Sequence, residues 1–452
     1  DWTVNGTTYA AGSLLAADFQ AYLGGGRELT VLFAPDAHTS LQSWSWTRNF
    51  LLLNLLKDVS SEIRVLDPAD SWRSSLLDAC PPLHDVNAFA VDDEDEADSG
   101  SGDDFWLVAT GFTTPSTLTR GTLSRAADNA ADGASGDSLA DGESSAGTAA
   151  AGVVSSHAVV KASPSFFNEA DYEVEQHFAV SADGTKVPYF QVAARGLVLD
   201  GQNPTQLSGY GGFEVSRTPS YSGTIGRAWL ERRTAAVQGD GGAEGHSRGG
   251  VYVVANIRGG GEYGPSWHRA ALQEKRHRAY EDFAAVARDL ISRGVTSRER
   301  LGCVGGSNGG LLVGNMLTRY PELFGAVSCG VPLLDMRRYT KLSAGHSWIA
   351  EYGDPDLPEH WEFMKTFSPY HQLKDGVEYP ETFIWTATSD DRVGPVQARK
   401  MAARMLAMGI PNVWFHEALE GGHAGASDNR QAAALQGRSQ HFLWKALAEG
   451  TA

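Results

Sequence analysis

LGCVGGSNGGLLVGNML (301–317) reads as three pieces in a row. Leu301–Val304 is a short apolar strand, Gly305–Gly309 a turn, and Asn308–Tyr320 a helix. The turn, Gly305-Gly306-Ser307-Asn308-Gly309, fits G-x-S-x-G in the strand–turn–helix context that this motif needs. A sharp turn of this kind holds a serine backbone under strain and lifts its hydroxyl to the sheet edge. Glycines let the neighbouring backbone pass closely. The helix that follows turns its first amide N–H groups toward any negative charge that develops there. Alone, the motif is equally well a glycine-rich turn with an incidental serine.

The surroundings of the turn decide between these. From about Asp171 onward strands alternate with helices: Val251–Asn256, a helix over Tyr280–Arg293, Thr382–Thr388, a helix over Val396–Met408, Asn412–His416 and a closing helix over Asn429–Ala448. Phe283, Val286, Ala287, Leu290 and Ile291 fall at helical spacing. Alternation of this kind predicts a doubly wound, mostly parallel sheet covered on both faces. Asp390-Asp391 follows one predicted strand, and His423, between glycines on a loop, follows another. The chain order Ser307, then Asp, then His423, each just past a strand's C-terminal end, is that of an α/β hydrolase. Ligands of open parallel sheets bind at that edge. No His/Cys/Asp spacing argues for a metal, and no cofactor is expected.

These stretches resemble the prolyl oligopeptidase family of serine peptidases. The resemblance rests on DYEVEQHFAVSADGTKVPYF (171–190), GYGGFEVSRTPSY (209–221), VYVVANIRGGGEYGPSWH (251–268), the 301–317 stretch, GHSWIAEYGDP (345–355), TATSDDRVGP (386–395) and EGGHAGA (420–426). It implies Ser307 as nucleophile, His423 as base and Asp390 as triad acid, with Asp391 a structural neighbour. It implies an oxyanion hole from the Asn308 backbone N–H and the Tyr210 hydroxyl. Arg392 would bind the substrate backbone, and Phe213, Leu333, Trp348, Tyr352 and Val393 would line the specificity pocket. Trp348 suits the flat, apolar proline ring, which lacks an N–H. Glu351, beside Tyr352, faces either solvent or the pocket; oligopeptidase B relatives carry acidic residues in this region. The implied substrates are short proline-containing peptides, cleaved on the carboxyl side of proline through an acyl-enzyme.

Residues 1–163 read differently. Leu29–Phe33, Glu62–Leu66, Val86–Val91 and Phe105–Thr110 are short strands between turn residues, which predicts an all-β unit. Helical periodicity shows only near Trp46–Asp58. In the family a seven-bladed β-propeller precedes the hydrolase. At ~40–45 residues per blade, seven blades need roughly 300 residues. The expectation is therefore a partial β-propeller over 1–163, holding the last three or four blades, and an α/β-hydrolase domain over 164–452. The low-complexity insert 126–152 is expected to be disordered, and a Gly-rich insert runs over Gln238–Gly250. The chain reads as an N-terminally incomplete sequence. A catalytically incompetent fragment or binding module is the competing reading. An oligopeptidase B-like or dipeptidyl-peptidase-like specificity is a third.

Composition sets outer limits. The chain has 452 residues and a net charge of -18. Nine carboxylates cluster over Asp85–Asp104 and five over Asp128–Glu143, with no Lys or Arg among them; they read as solvated loop charge. An acidic field disfavours nucleic acid. The longest apolar runs, such as Phe50–Leu56, are far short of the ~18–20 residues that span a bilayer, so no membrane partner is expected. Three scattered cysteines, Cys80, Cys303 and Cys329, give no disulfide framework and fit a reducing compartment. A cytoplasmic monomer completes these expectations.

Overall fold

The computed structural model of the protein describes residues 1–92, 101–125, 153–234 and 248–449. Its contacts divide into two units. One holds Asp1–Ser165 with two short returns, Thr218–Tyr221 and Tyr263–Pro265. The other holds Phe166–Arg217, Ser222–Glu262 and the chain from Ser266 on.

In the first unit, β1 (Trp2–Val4) pairs with β2 (Thr7–Tyr9), and β3 (Leu14–Ala16) with β4 (Thr30–Phe33). Two four-stranded antiparallel meanders follow. The first is β5 (Thr39–Trp46), β6 (Leu51–Lys57), β7 (Ser60–Asp67) and β8 (Arg73–Leu76). The second is β9 (His84–Ala90), β10 (Asp104–Gly111), β11 (Thr117–Arg125) and β12 (Val153–Ala162). Four-stranded meanders are the blade unit of β-propellers. Alternate residues of the two sheets share one core: Leu52, Ile63 and Val65 from the first, Val86, Ala88, Phe105 and Leu107 from the second.

The helix expected near Trp46–Asp58 does not form. Trp46 ends β5 and Leu51–Lys57 is the inner strand β6. The strand is buried on both faces. Leu52 joins the core between the sheets, while Leu51, Leu53 and Leu55 join a second cluster with Phe33. A strand covered on both sides loses its period-two alternation, which is why its apolar run misleads. Asn54 interrupts the run because it has partners. Its side-chain amide donates to Ala88 O at 2.9 Å, and its carbonyl accepts from Ala88 N at 2.7 Å. One side chain thereby completes a backbone-like pair from β6 to β9.

The acidic cluster is also corrected in part. Asp103 accepts from Thr47 Oγ1, Asn49 N and Asn49 Nδ2 at 2.7–2.8 Å. Asp104 pairs with Arg120 at 2.6 Å. Burial pushes the Asp85 carboxyl up, against a hydrogen bond from Thr218. Asp103 holds the β5–β6 turn of the first meander, Asp104 ties β10 to β11 in the second, and Asp85 is partly buried, so these three are not loose surface charge. Residues 93–100, 126–152 and 235–247 lie outside the described residues, and with them the expected disorder of the low-complexity insert.

The second unit is built on one eight-stranded sheet. Its strands are β13 (Tyr172–Val180), β14 (Lys186–Ala194), β15 (Thr205–Ser208), β16 (Val251–Ala255), β17 (Leu301–Gly306), β18 (Ala326–Gly330), β19 (Glu381–Ala387) and β20 (Val413–Ala418). The spatial order is β13-β14-β16-β15-β17-β18-β19-β20. The pairs β13–β14 and β14–β16 are antiparallel and every later pair is parallel. Helices His277–Ser292, Asn308–Arg319, Val396–Ala407 and Asn429–Trp444 accompany the sheet. Phe283, Val286, Ala287 and Leu290 are fully buried, as their spacing predicts, with Ile291 packed at the margin. The closing helix ends at Trp444 and widens into a π-type turn over Lys445–Glu449. Among the described residues no helix is long and apolar enough to cross a membrane. This is an α/β-hydrolase sheet preceded by propeller-type meanders, the predicted fold class.

Candidate active site

β17 ends at Gly306 and the next helix starts at Asn308, so Ser307 alone makes the turn. Its backbone sits at φ 59°, ψ -117°, in a region costing a residue with a Cβ about 1–3 kcal/mol. The turn is held from both sides. Ser307 N donates to Gly330 O at 2.9 Å, and Ser307 O accepts from Leu311 N at 3.1 Å. A Cβ on Gly305 would lie 2.1 Å from Gly309 O, and one on Gly310 would lie 2.6 Å from Pro332. Those distances give the physical reason for glycine on either side of the serine. The Ser307 hydroxyl makes no cap to the helix it begins.

Asp390 lies beyond the end of β19 and is buried, at 4% exposure. Its Oδ1 accepts from Arg392 N and Val393 N, both at 3.0 Å, and from His423 Nδ1 at 2.9 Å. Burial favours the neutral acid, but the hydrogen bonds from His423 and the two backbone amides outweigh it. The carboxyl stays below its usual range, ionised. A carboxylate only accepts, so His423 carries its proton on Nδ1 and keeps a lone pair on Nε2. Asp391 is exposed; of the adjacent acids, Asp390 meets His423. Among the described residues Ser307 and His423 share no hydrogen bond.

Tyr210 follows β15. Burial pushes its phenol up, and the nearby Arg392 charge and a hydrogen bond with Ser307 act against this. Asn308 is fully buried, and its side chain ties three elements together. Nδ2 donates to Tyr210 O at 2.7 Å, while Oδ1 accepts from Tyr352 Oη at 2.8 Å and from the Arg276 guanidinium. Its backbone N–H belongs to the first helical turn, whose amides have no partner within the helix.

The aromatic residues assigned to the pocket do come together. The Phe213 ring meets Trp348 edge-on at 6.3 Å and Tyr352 at 5.7 Å. Phe213 and Glu214 both sit at φ 56°, a second strained turn beside the first. Tyr352 and Val393 are 0% exposed and Leu333 is 1% exposed, and all three belong to the core cluster against which Phe213 and Trp348 pack. Phe213 and Trp348 are half-buried and supply the accessible aromatic surface; Arg392 is exposed.

Glu351 faces inward. It is 5% exposed, and both oxygens are occupied. Oε1 accepts from Arg276 Nη1 at 2.8 Å and from Phe213 N at 3.1 Å; Oε2 is 2.8 Å from His268 Nε2. Burial favours protonation, but His268, Arg276 and the Phe213 amide hold the carboxyl below its usual value. Arg276 and His268 escape a sequence reading. Arg276 lies in Gln273-Glu274-Lys275-Arg276-His277-Arg278, a run indistinguishable from a solvated charged turn. Only the fold shows that this one side chain of the run is 1% exposed.

Comparison with known proteins agrees with this geometry. The model of the prolyl oligopeptidase family matches residues 244–450. An uncharacterized peptidase of Sinorhizobium fredii is 41% identical over 99% of this chain and 55% of its own length. A prolyl endopeptidase of Elizabethkingia miricola is 41% identical over 53% of the chain and 32% of its own length. A post-proline cleaving enzyme from Rickettsia typhi superposes with a TM-score of 0.78 at 31% identity, over 100% of this chain and 58% of that one. The chain thus spans about half the length of the first of these relatives, and less of the second. The family match thus falls on residues 244–450, the part of the sheet-based unit that carries the serine turn and the His423–Asp390 pair.

Proposed function

We propose that the protein hydrolyses short peptides on the carboxyl side of proline, through an acyl-enzyme on Ser307. One observation carries the reading. Ser307, Tyr210 and the hydrogen-bonded Asp390–His423 pair each stand just past the C-terminal end of a parallel strand of one sheet.

His423 Nε2 takes the Ser307 hydroxyl proton as Oγ bonds to the scissile carbonyl carbon. The carbonyl π electrons move to oxygen, where the Asn308 N–H and Tyr210 O–H donate to the new negative charge. As the tetrahedral adduct collapses, the C–N bond breaks and His423 returns the proton to the leaving nitrogen. Water then attacks the ester as His423 takes its proton; the C–Oγ bond breaks, His423 returns the proton to Ser307 Oγ, and the peptide leaves with a free carboxyl group. Asp390 stays ionised, orients the imidazole and stabilises its charged form. Arg392, exposed beside Tyr210, hydrogen-bonds the substrate backbone.

Proline preference rests on the pocket surface. Phe213 and Trp348 offer aromatic faces to a ring that brings no donor. A basic side chain would need an unpaired carboxylate, and Glu351 is already bonded on both oxygens. The Elizabethkingia prolyl endopeptidase and the Rickettsia post-proline cleaving enzyme, to which the chain is similar, support the same specificity. The test compares an N-blocked Gly-Pro amide, the same amide with a free amine, and a blocked Arg amide. Fastest turnover of the blocked Gly-Pro amide is expected. Preference for the Arg amide would overturn the pocket assignment, and preference for the free amine would replace endopeptidase with dipeptidyl-peptidase action.

A further inference from the structure

The Arg276 guanidinium reaches Glu351, Asn308 and Tyr352. Nη1 donates to Glu351 Oε1 at 2.8 Å and Nη2 donates to Asn308 Oδ1. The same group lies 5.2 Å from the centre of the Tyr352 ring. The loop that carries Tyr210 and Phe213 is packed directly onto it. A Cβ on Gly212 would stand 2.6 Å from Asn308 Nδ2 and 3.1 Å from Arg276 Nη2, so a glycine is required for the loop to close over this pair. Glu351 in turn holds the pocket wall through Phe213 N at 3.1 Å. A fully buried arginine has lost its hydration, and only close partners compensate for that loss. Here the partners are the residue that begins the helix after the nucleophile and the acid beneath the pocket.

We propose that Arg276 is a positioning and specificity-determining residue, which neutralises Glu351 beneath the Phe213 wall and clamps Asn308, so that the pocket offers no unpaired carboxylate to a basic side chain. The inference rests on the function proposed above and deepens it, because it assigns exclusion of Arg and Lys to a residue that never touches substrate. Rejection of a competitor is commonly built in this way, by denying it a partner. Glu351 keeps His268 and the Phe213 amide if Arg276 is lost, but its strongest cation is gone. A substrate guanidinium is then the natural replacement.

The experiment measures kcat/KM for blocked Gly-Pro and blocked Gly-Arg amides on the 452-residue chain, with fluorophosphonate labelling of Ser307 to count active sites. In Arg276→Met, the Arg-to-Pro ratio should rise at least about tenfold per labelled site. The double variant Arg276→Met/Glu351→Gln should return the ratio to within about threefold of the parent, because the freed carboxylate is gone. Arg276→Lys should also hold the ratio near the parent value while kcat falls, since it keeps the charge and loses the fork that reaches Asn308. A labelled Arg276→Met protein with an unchanged ratio overturns the inference, as does a ratio that shifts equally in Arg276→Lys. If Arg276→Met does not fold, Glu351→Gln carries the test with the opposite sign. An uncompensated guanidinium should then raise cleavage of a blocked Gly-Glu amide relative to Gly-Pro by about tenfold, and no change overturns the inference. A parent protein that labels but prefers Arg sinks the proposed function and this inference together. A parent that prefers Pro while Arg276→Met keeps that preference sinks the inference alone.

Discussion

Ser307 occupies a backbone conformation that penalises any side chain, and glycines that cannot accept one flank it. Such strain persists only where surrounding contacts over-determine it, and here the bonds to Gly330 and Leu311 do so. The two-residue neighbourhood of the serine was legible from sequence because glycine identity encodes backbone shape. The same held for His423, singled out by its glycine-flanked loop. Glu351 was not legible, since a carboxylate in a helical turn reads alike whether it meets solvent or a buried arginine. Tyr210 provides the residue-scale prediction. Its hydroxyl lies at Ser307 and the assigned role is one oxyanion donor. Tyr210→Phe should lower kcat by roughly 10²–10³ with little change in KM. Steady-state kinetics on the blocked Gly-Pro amide checks it, and unchanged turnover removes Tyr210 from the oxyanion hole.

Elements position these residues through ties that sequence patterns do not display. Glu417 on β20 accepts from Thr388 Oγ1 at 2.6 Å and Arg399 Nε at 2.8 Å, and also pairs with Arg399 Nη2. This links β20, which leads to His423, with the end of β19, which leads to Asp390, and with the helix Val396–Ala407. The Arg399 hydrogen bonds lower the Glu417 carboxyl from an ordinary 4.5 to about 2; burial opposes them, and the Thr388 hydrogen bond adds to the lowering. A depressed carboxyl contributes stability above its unfolded value and loses it as pH falls toward its folded value. Glu417→Gln should therefore lower stability by about 1 kcal/mol at pH 7. The difference should shrink below about pH 4.5 and vanish near pH 2. Denaturation of both proteins across that range measures this; a pH-independent gap contradicts it.

β6 makes the same point from the failure of a periodic reading. Its apolar run Leu51–Leu56 serves two cores, so neither the strand period nor the helix period is visible. The long helices of the hydrolase unit, by contrast, were legible to within a few residues at either end. Asn54→Ala in β6 leaves Ala88 N and O without their buried partner, at a cost of about 1–3 kcal/mol per orphaned group. Urea unfolding followed by tryptophan fluorescence should show the loss, and an unshifted midpoint would contradict the bridging role.

At the scale of the whole molecule, two units carry separate cores, and all the assigned residues lie in the second. The acidic excess lies instead mainly in the first unit, where residues 1–165 hold 23 Asp and Glu against 8 Lys and Arg. Part of the acidic excess is in structural aspartates, Asp103 and Asp104. Fold class and the order of chemistry-bearing residues were both legible along the chain, because α/β alternation and strand-end loops are local patterns. The buried ion cluster of Arg276, His268 and Glu351 was not, because its members are separated by up to 83 residues and meet only in the folded unit.

The central claim is that Ser307 is the activated nucleophile. The direct measurement is reaction of the folded 452-residue chain with a fluorophosphonate, followed by peptide mass mapping. A single adduct on Ser307 is predicted, absent in Ser307→Ala and strongly slowed in His423→Ala. No adduct on a folded chain, or an adduct that survives Ser307→Ala, would contradict the account.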